Sequence, residues 1–224
     1  MEPAKIQLNH ISNDLNPHAI KNFLVSNSSL PQEGSLLSTD YPFVLDSIAI
    51  AICTNGSARL KINFKEYDVE KNTVITTMPH FVTELRSKSD DFTIEFCIFS
   101  IDFLMDAPSP SNFDIAKRIV TNPCIKVDED RAKILLDFHS FILKQYQRID
   151  HPFRGEMAKG LLSALLTEIG AIYYLDKSDE PGKSIYKEEL IYRFFRLVLN
   201  NHRTERSLDF YADKMCLTTK YLST

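Results

Sequence analysis

The chain has 224 residues, 44% apolar and 25% charged, with 26 basic against 30 acidic side chains and a net charge of −4. That is the composition of a globular protein with enough chain for one large domain or two small ones. It excludes a nucleic-acid coat and a polybasic membrane binder. The longest apolar stretch, residues 161–175, contains Glu168 and falls short of the ~18–20 residues that a bilayer requires, so no membrane partner is expected. The opening residues MEPAKIQLNHISND show no basic-then-apolar leader. Cys53, Cys97, Cys124 and Cys216 lie far apart without a C-x-x-C pair, which predicts reduced, mostly buried thiols in a cytoplasmic protein.

The first half reads as strands. Over 43–53 one face carries Val44, Ile48, Ile50 and Ile52, and the other carries Ser47, Ala49, Ala51 and Cys53. A period of two is the strand signature. Thr54-Asn55-Gly56-Ser57 is a turn cluster, because Asn and Gly tolerate positive φ. Ala58, Leu60, Ile62 and Phe64 then alternate with Arg59, Lys61 and Asn63, predicting a half-buried strand. Further short strands are expected over 66–69, 73–78, 81–86 and 92–100. Strands this short and this closely spaced predict an antiparallel barrel or sandwich.

The pattern changes after the breaker segment APSPSN at 107–112. Pro123 to Val127 reads as a short extended piece. Asp128 is the expected N-cap of a helix over 129–149, with Glu129 and Asp130 complementing its dipole. Its apolar stripe is Leu135, Ile142, Tyr146 and Ile149, and His151-Pro152 stops it. A second helix over 154–175 carries Met157, Leu161, Leu165, Ile169 and Ile172 on one face. Two such helices on a short link predict an antiparallel hairpin. The polar run DKSDEPGKS at 176–184 marks a boundary. Beyond it the charge changes sign: residues 187–224 hold seven basic and five acidic side chains, a net of +2, which leaves −6 on residues 1–186.

Several chemistries find no support. Gly182-Lys183-Ser184 resembles the end of a phosphate loop, but position 177 is Lys where that loop needs Gly. Neither G-x-S-x-G nor G-x-G-x-x-G occurs. His80 and Glu84 lie close in the strand-rich half. A catalytic metal site generally takes three protein ligands, and the other five histidines form no H-x-H or H-x-x-x-H pair. No catalytic residue, metal ligand or cofactor is therefore assigned.

The C-terminal residues carry the most specific signal. Residues 185–202 predict a helix with Leu190, Phe194, Leu197 and Val198 on its apolar face. Ser207 then caps a second helix in which Leu208, Tyr211, Ala212 and Met215 stand at i, i+3, i+4 and i+7. Cys216-Leu217 makes a turn, and Thr218 caps a third helix with Leu222 pointing inward. Helix, short turn, helix reads as a helix-turn-helix, whose second helix enters the DNA major groove.

On Ser207-Leu208, Tyr211-Ala212, Met215, Leu217-Thr218 and Tyr221-Leu222-Ser223 the chain resembles the AraC/XylS family of transcriptional regulators. Gly56 to His80 is more loosely similar to the cupin-like sensor domain that precedes the DNA-binding part in that family. The resemblance implies an α+β chain: an antiparallel β-barrel of cupin-like, double-stranded β-helix type, then a helical hairpin and a partial helix-turn-helix. The implied domains are a ligand-sensing barrel over 1–112, a helical dimerisation and connecting region over 113–176, a linker over 177–184, and the first part of the DNA-binding domain over 185–224. Implied DNA contacts are Thr218, Thr219, Lys220, Ser223 and Thr224. Pocket candidates from the strand alternation are Arg59, His80, Glu84 and Arg86.

The implied function is a ligand-responsive, sequence-specific transcription regulator and not an enzyme. Its partners would be DNA, bound through the full-length protein, an unknown small-molecule effector, a second copy in a homodimer, and RNA polymerase. The match runs out at Thr224 within the first recognition helix, so this chain is expected not to bind DNA alone. The alternative is a cupin-type metal-dependent enzyme with a helical appendage; against it, the paired histidines of metal-binding cupins are missing.

Overall fold

The computed structural model describes residues 3–15, 18–27, 41–105, 113–175, 190, 193–194, 197–198, 201 and 204–223. The 107–112 breaker, the 177–184 linker, Thr224 and most of the 185–202 helix lie outside the described residues.

The fold is mixed α+β, with two five-stranded sheets rather than one closed barrel. The strands are β1 (Ala4–Ile6), β2 (Phe23–Asn27), β3 (Phe43–Leu45), β4 (Ile48–Asn55), β5 (Ser57–Ile62), β6 (Lys65–Glu70), β7 (Thr73–Thr77), β8 (Val82–Lys88), β9 (Thr93–Phe99) and β10 (Cys124–Lys126). Sheet I runs β1-β3-β8-β5-β6 and sheet II runs β10-β7-β4-β9-β2. All neighbours are antiparallel except β1 and β3.

The chain keeps changing sheets at its corners, so the expected strand over 43–53 is two strands. Between them Asp46 Oδ1 accepts from the Leu8 N–H (3.1 Å) and from the Ser47 hydroxyl (2.6 Å). This fixes a bend that sends β3 into sheet I and β4 into sheet II. The 54–57 turn is likewise a corner between sheets and not a hairpin. Gly56 sits there at φ +70°, and a Cβ would lie 2.5 Å from Ser89 Oγ and 2.6 Å from the Phe92 nitrogen. Only glycine fits. At the β5–β6 hairpin Asn63 takes φ 55°, which ends β5 at Ile62 and throws Phe64, expected inside, to 98% exposure.

Alternation along the strands of sheet II builds two cores. Ile48, Ile50 and Ile52 face a helical layer, while Ala49, Ala51 and Cys53 face sheet I. The helical layer holds α2 (Ile101–Met105), α3 (Phe113–Thr121), α4 (Glu129–Tyr146) and α5 (Arg154–Leu175); α1 (Leu8–Leu15) lies near the N-terminus. Asp128 caps α4 through Oδ1, which accepts from the Arg131 N–H (2.8 Å). Leu135, Ile142 and Tyr146 are buried with Leu162, Leu165, Ile169 and Ile172 of α5. Ile149, expected on that stripe, is exposed because α4 ends at Tyr146. β10, read as an extended piece, pairs with β7 and widens sheet II. Lys126 of β10 forms an ion pair with Glu70 of β6, tying the two sheets at one edge. No helix among the described residues is long and apolar enough to cross a membrane.

Candidate functional site

The C-terminal unit is built from its caps upward. Ser207 holds extended backbone (φ −77°, ψ 130°), and its Oγ accepts from the Asp209 N–H at 3.2 Å, starting α6 (Leu208–Met215). Tyr211, Ala212 and Met215 are buried and Leu208 is half-buried. The Tyr211 hydroxyl donates to the Glu205 carbonyl (2.7 Å), and its ring meets Phe194 and Phe210 edge-on. That contact joins α6 to the helical residues before it.

Cys216 ends α6 in the left-handed region (φ 56°, ψ 42°). Its N–H donates to the Asp213 carbonyl (3.1 Å), and the Leu217 N–H donates to the Ala212 carbonyl (2.9 Å). This is the Schellman closure, in which the left-handed residue is usually glycine; a side chain there costs roughly 1–2 kcal/mol. Thr218 then caps α7 (Thr219–Leu222), its Oγ1 accepting from the Tyr221 N–H at 3.2 Å. The Thr219 hydroxyl donates to Asp209 Oδ1 (2.7 Å) and fastens α7 to the start of α6. Two helices joined through Cys216, Leu217 and Thr218 make a helix-turn-helix.

The expected DNA contacts fall as follows. Thr218, Lys220 and Ser223 are exposed, and Thr219 is half-buried. The Thr218 oxygen serves the cap as acceptor, so its proton remains available to an acceptor outside the chain. Thr219 directs its proton to Asp209, and Ser223 directs its own to the Lys220 carbonyl (3.0 Å). Leu222 is half-buried, and Tyr221 beside it is exposed.

The pocket candidates are not brought together. Arg59 and Asp68 form an exposed ion pair at 2.8 Å on the outer face of sheet I, beside an open groove of about 730 Å³. Glu84 and Arg86 pair at 2.8 Å on β8, where the inward positions are Thr83 and Leu85. His80 is exposed in the 78–81 corner at φ 69°. Among the described residues no three His, Cys, Asp or Glu side chains converge as a metal site would need.

One buried polar residue was not singled out by its sequence position. His139 of α4 is buried, with Nε2 3.0 Å from the Ser26 carbonyl and 3.1 Å from that of Phe96. Its Nδ1 lies 2.6 Å from Glu95 Oε2. The ring thus fastens α4 to the β2–β9 edge of sheet II, a long-range contact invisible in a lone histidine on a helix. The thiols divide by burial. Desolvation pushes Cys53 up to about 11 and Cys124 up to about 12, and with the Glu95 charge it raises Cys97 as well. All four are free, and only Cys216 is exposed.

This geometry defines a two-sheet body with a helical layer and a helix-turn-helix after it. No protein-family model and no curated protein matches the chain. Among solved structures it is similar to the AraC-like transcriptional activator CuxR at 11% identity and TM-score 0.42, over 78% of this chain and 58% of that one. It is also similar to apo ToxT from Vibrio cholerae at 15% identity and TM-score 0.45, over 92% of this chain and 74% of that one. ToxT from the same source with an unsaturated fatty acid bound gives 15% identity and TM-score 0.42, over 92% and 73%.

Proposed function

We propose that the chain is the sensing and connecting part of a ligand-responsive, sequence-specific transcription regulator of the AraC type. The observation that carries this reading is the helix-turn-helix at 207–223, with its two hydroxyl caps, its left-handed turn at Cys216 and its buried Tyr211, Ala212 and Met215. Residues 1–112 act as a cupin-like, double-stranded β-helix sensor, 113–176 as the connecting and pairing region, 177–184 as the linker and 185–224 as the start of the DNA-binding domain. Exposed Ile134 and Phe141 on α4 and Tyr174 on α5 support pairing of two copies across that layer. Thr218 and Lys220 contact phosphate or a base edge, and Thr219, Ser223 and Thr224 flank them. The protein is not an enzyme, and its further partner is RNA polymerase in the cytoplasm.

Effector binding shifts the body and its helical layer between two arrangements and so changes operator affinity. The test is a gel shift with the protein at its full natural length and DNA from the region upstream of its own gene, at several salt concentrations. A sequence-preferring, salt-sensitive shift is expected. No shift at low salt, or equal retention of unrelated DNA, overturns the reading.

A further inference from the structure

The helical layer rests on sheet II through apolar side chains and a buried histidine, His139 of α4, which is 1% exposed. The two acceptors at its Nε2 are main-chain carbonyls, Ser26 of β2 at 3.0 Å and Phe96 of β9 at 3.1 Å. Carbonyls only accept, so Nε2 carries a proton. On the other side of the ring Nδ1 lies 2.6 Å from Glu95 Oε2, and this buried atom has no other partner among the described residues. A bare nitrogen lone pair facing a carboxylate at that distance is repulsive, so a proton lies between the two. Whichever atom holds it, the pair as a whole is neutral.

Nothing packed around the ring replaces that proton. β9 adds the Cys97 thiol, raised by burial and by the Glu95 charge and therefore neutral. β2 and β4 turn only apolar side chains to this cluster, and the titratable groups that α4 and α5 bring to it are the phenols Tyr146 and Tyr173. Of the charged residues on α4, Glu129, Asp130, Lys133, Asp137 and Lys144 are exposed, and Arg131 pairs with Asp128. On α5, Arg154 is bonded to the Tyr146 and His18 carbonyls, and Lys159 lies over the Phe103 ring.

We propose that the proton shared by His139 and Glu95 latches α4 to the β2–β9 edge, so that docking of the helical layer on the two-sheet body depends on pH. This goes beyond the regulator reading and involves no DNA. When α4 lifts, both groups enter water, where an imidazole loses its proton above about pH 6.5 and a carboxylate stays ionised. Above that pH the docked state holds one proton more than the lifted state, and the proton leaves to solvent on opening. The latch is therefore at full strength below about pH 6.5 and weakens as pH rises. Each further pH unit raises the opening constant roughly tenfold, until the docked pair itself gives up the proton. The Glu95 side chain, 29% exposed, gives that proton a route to water.

The test is amide hydrogen exchange of the whole chain between pH 6.5 and 8.5, each rate divided by the intrinsic rate at that pH. A helix lifted from its sheet is marginal, so the amides around His139 report the opening. In wild-type protein their opening constant is expected to rise more than about tenfold across this range, toward a limit of about fiftyfold. The amides of β5 and β8 in sheet I change less than about twofold. In Glu95→Gln the carboxamide N–H donates to Nδ1 of a neutral ring, the tie no longer needs the shared proton, and the pH dependence disappears. His139→Phe removes the tie, so α4 opens more at pH 6.5 and shows no trend; if that variant folds poorly, the wild-type and Glu95→Gln slopes decide. A pH-independent wild-type α4, a Glu95→Gln variant that keeps the wild-type slope, or an equal slope in β5 and β8 overturns the proposal.

Discussion

The two-sheet body and the C-terminal helix pair are held by different means. In the body, sheet II lies between two apolar clusters, and α4 and α5 seal the outer one with Leu135, Ile142, Leu162 and Leu165. Each such side chain contributes about 1.5–3 kcal/mol. In the α6–α7 pair the buried residues are Tyr211, Ala212 and Met215. What holds that pair is local: two hydroxyl caps, the Schellman closure at Cys216 and the Thr219–Asp209 bond. The body is held by bulk burial, and the helix pair chiefly by these local hydrogen bonds.

The sharpest contrast is in thiol chemistry. The thiolate is the reactive form, and the raised values of Cys53, Cys97 and Cys124 keep those thiols protonated at pH 8. A disulfide reagent added to native protein at pH 8 modifies Cys216 within minutes, and the other three only after denaturant. Rapid reaction of two or more thiols in the native state would break the comparison. Next in size is Leu162→Ala, which removes a fully buried side chain of α5 and costs about 2–5 kcal/mol, read from urea unfolding. The smallest effect belongs to the caps. Ser207→Ala and Thr218→Ala each cost about 1 kcal/mol, seen as roughly fivefold faster amide exchange in α6 and α7. The unfolding midpoint of the body stays where it was; a shift there would mean the two regions unfold together.

Where each face of an element meets a uniform environment, the residues announce it. The alternation of β4, the cap at Asp128 and the caps at Ser207 and Thr218 were all legible for that reason. The corners were not, because the bend at Asp46 depends on the N–H of Leu8, distant in the chain. β2, buried through Phe23, Leu24 and Val25, has no period of two to read. Arg59, Glu84 and Arg86 drew notice through their charge, while the interior positions on the same strands are the apolar and hydroxyl ones.

The most direct measurement of the central claim is the salt dependence of DNA affinity for wild-type protein and for Lys220→Ala, both at full natural length. A lysine that neutralises one phosphate steepens the slope of log affinity against log salt by about one. The account predicts a negative wild-type slope that becomes shallower by about one in the variant, with the body's unfolding midpoint unchanged. Identical slopes and affinities for the two proteins would contradict it.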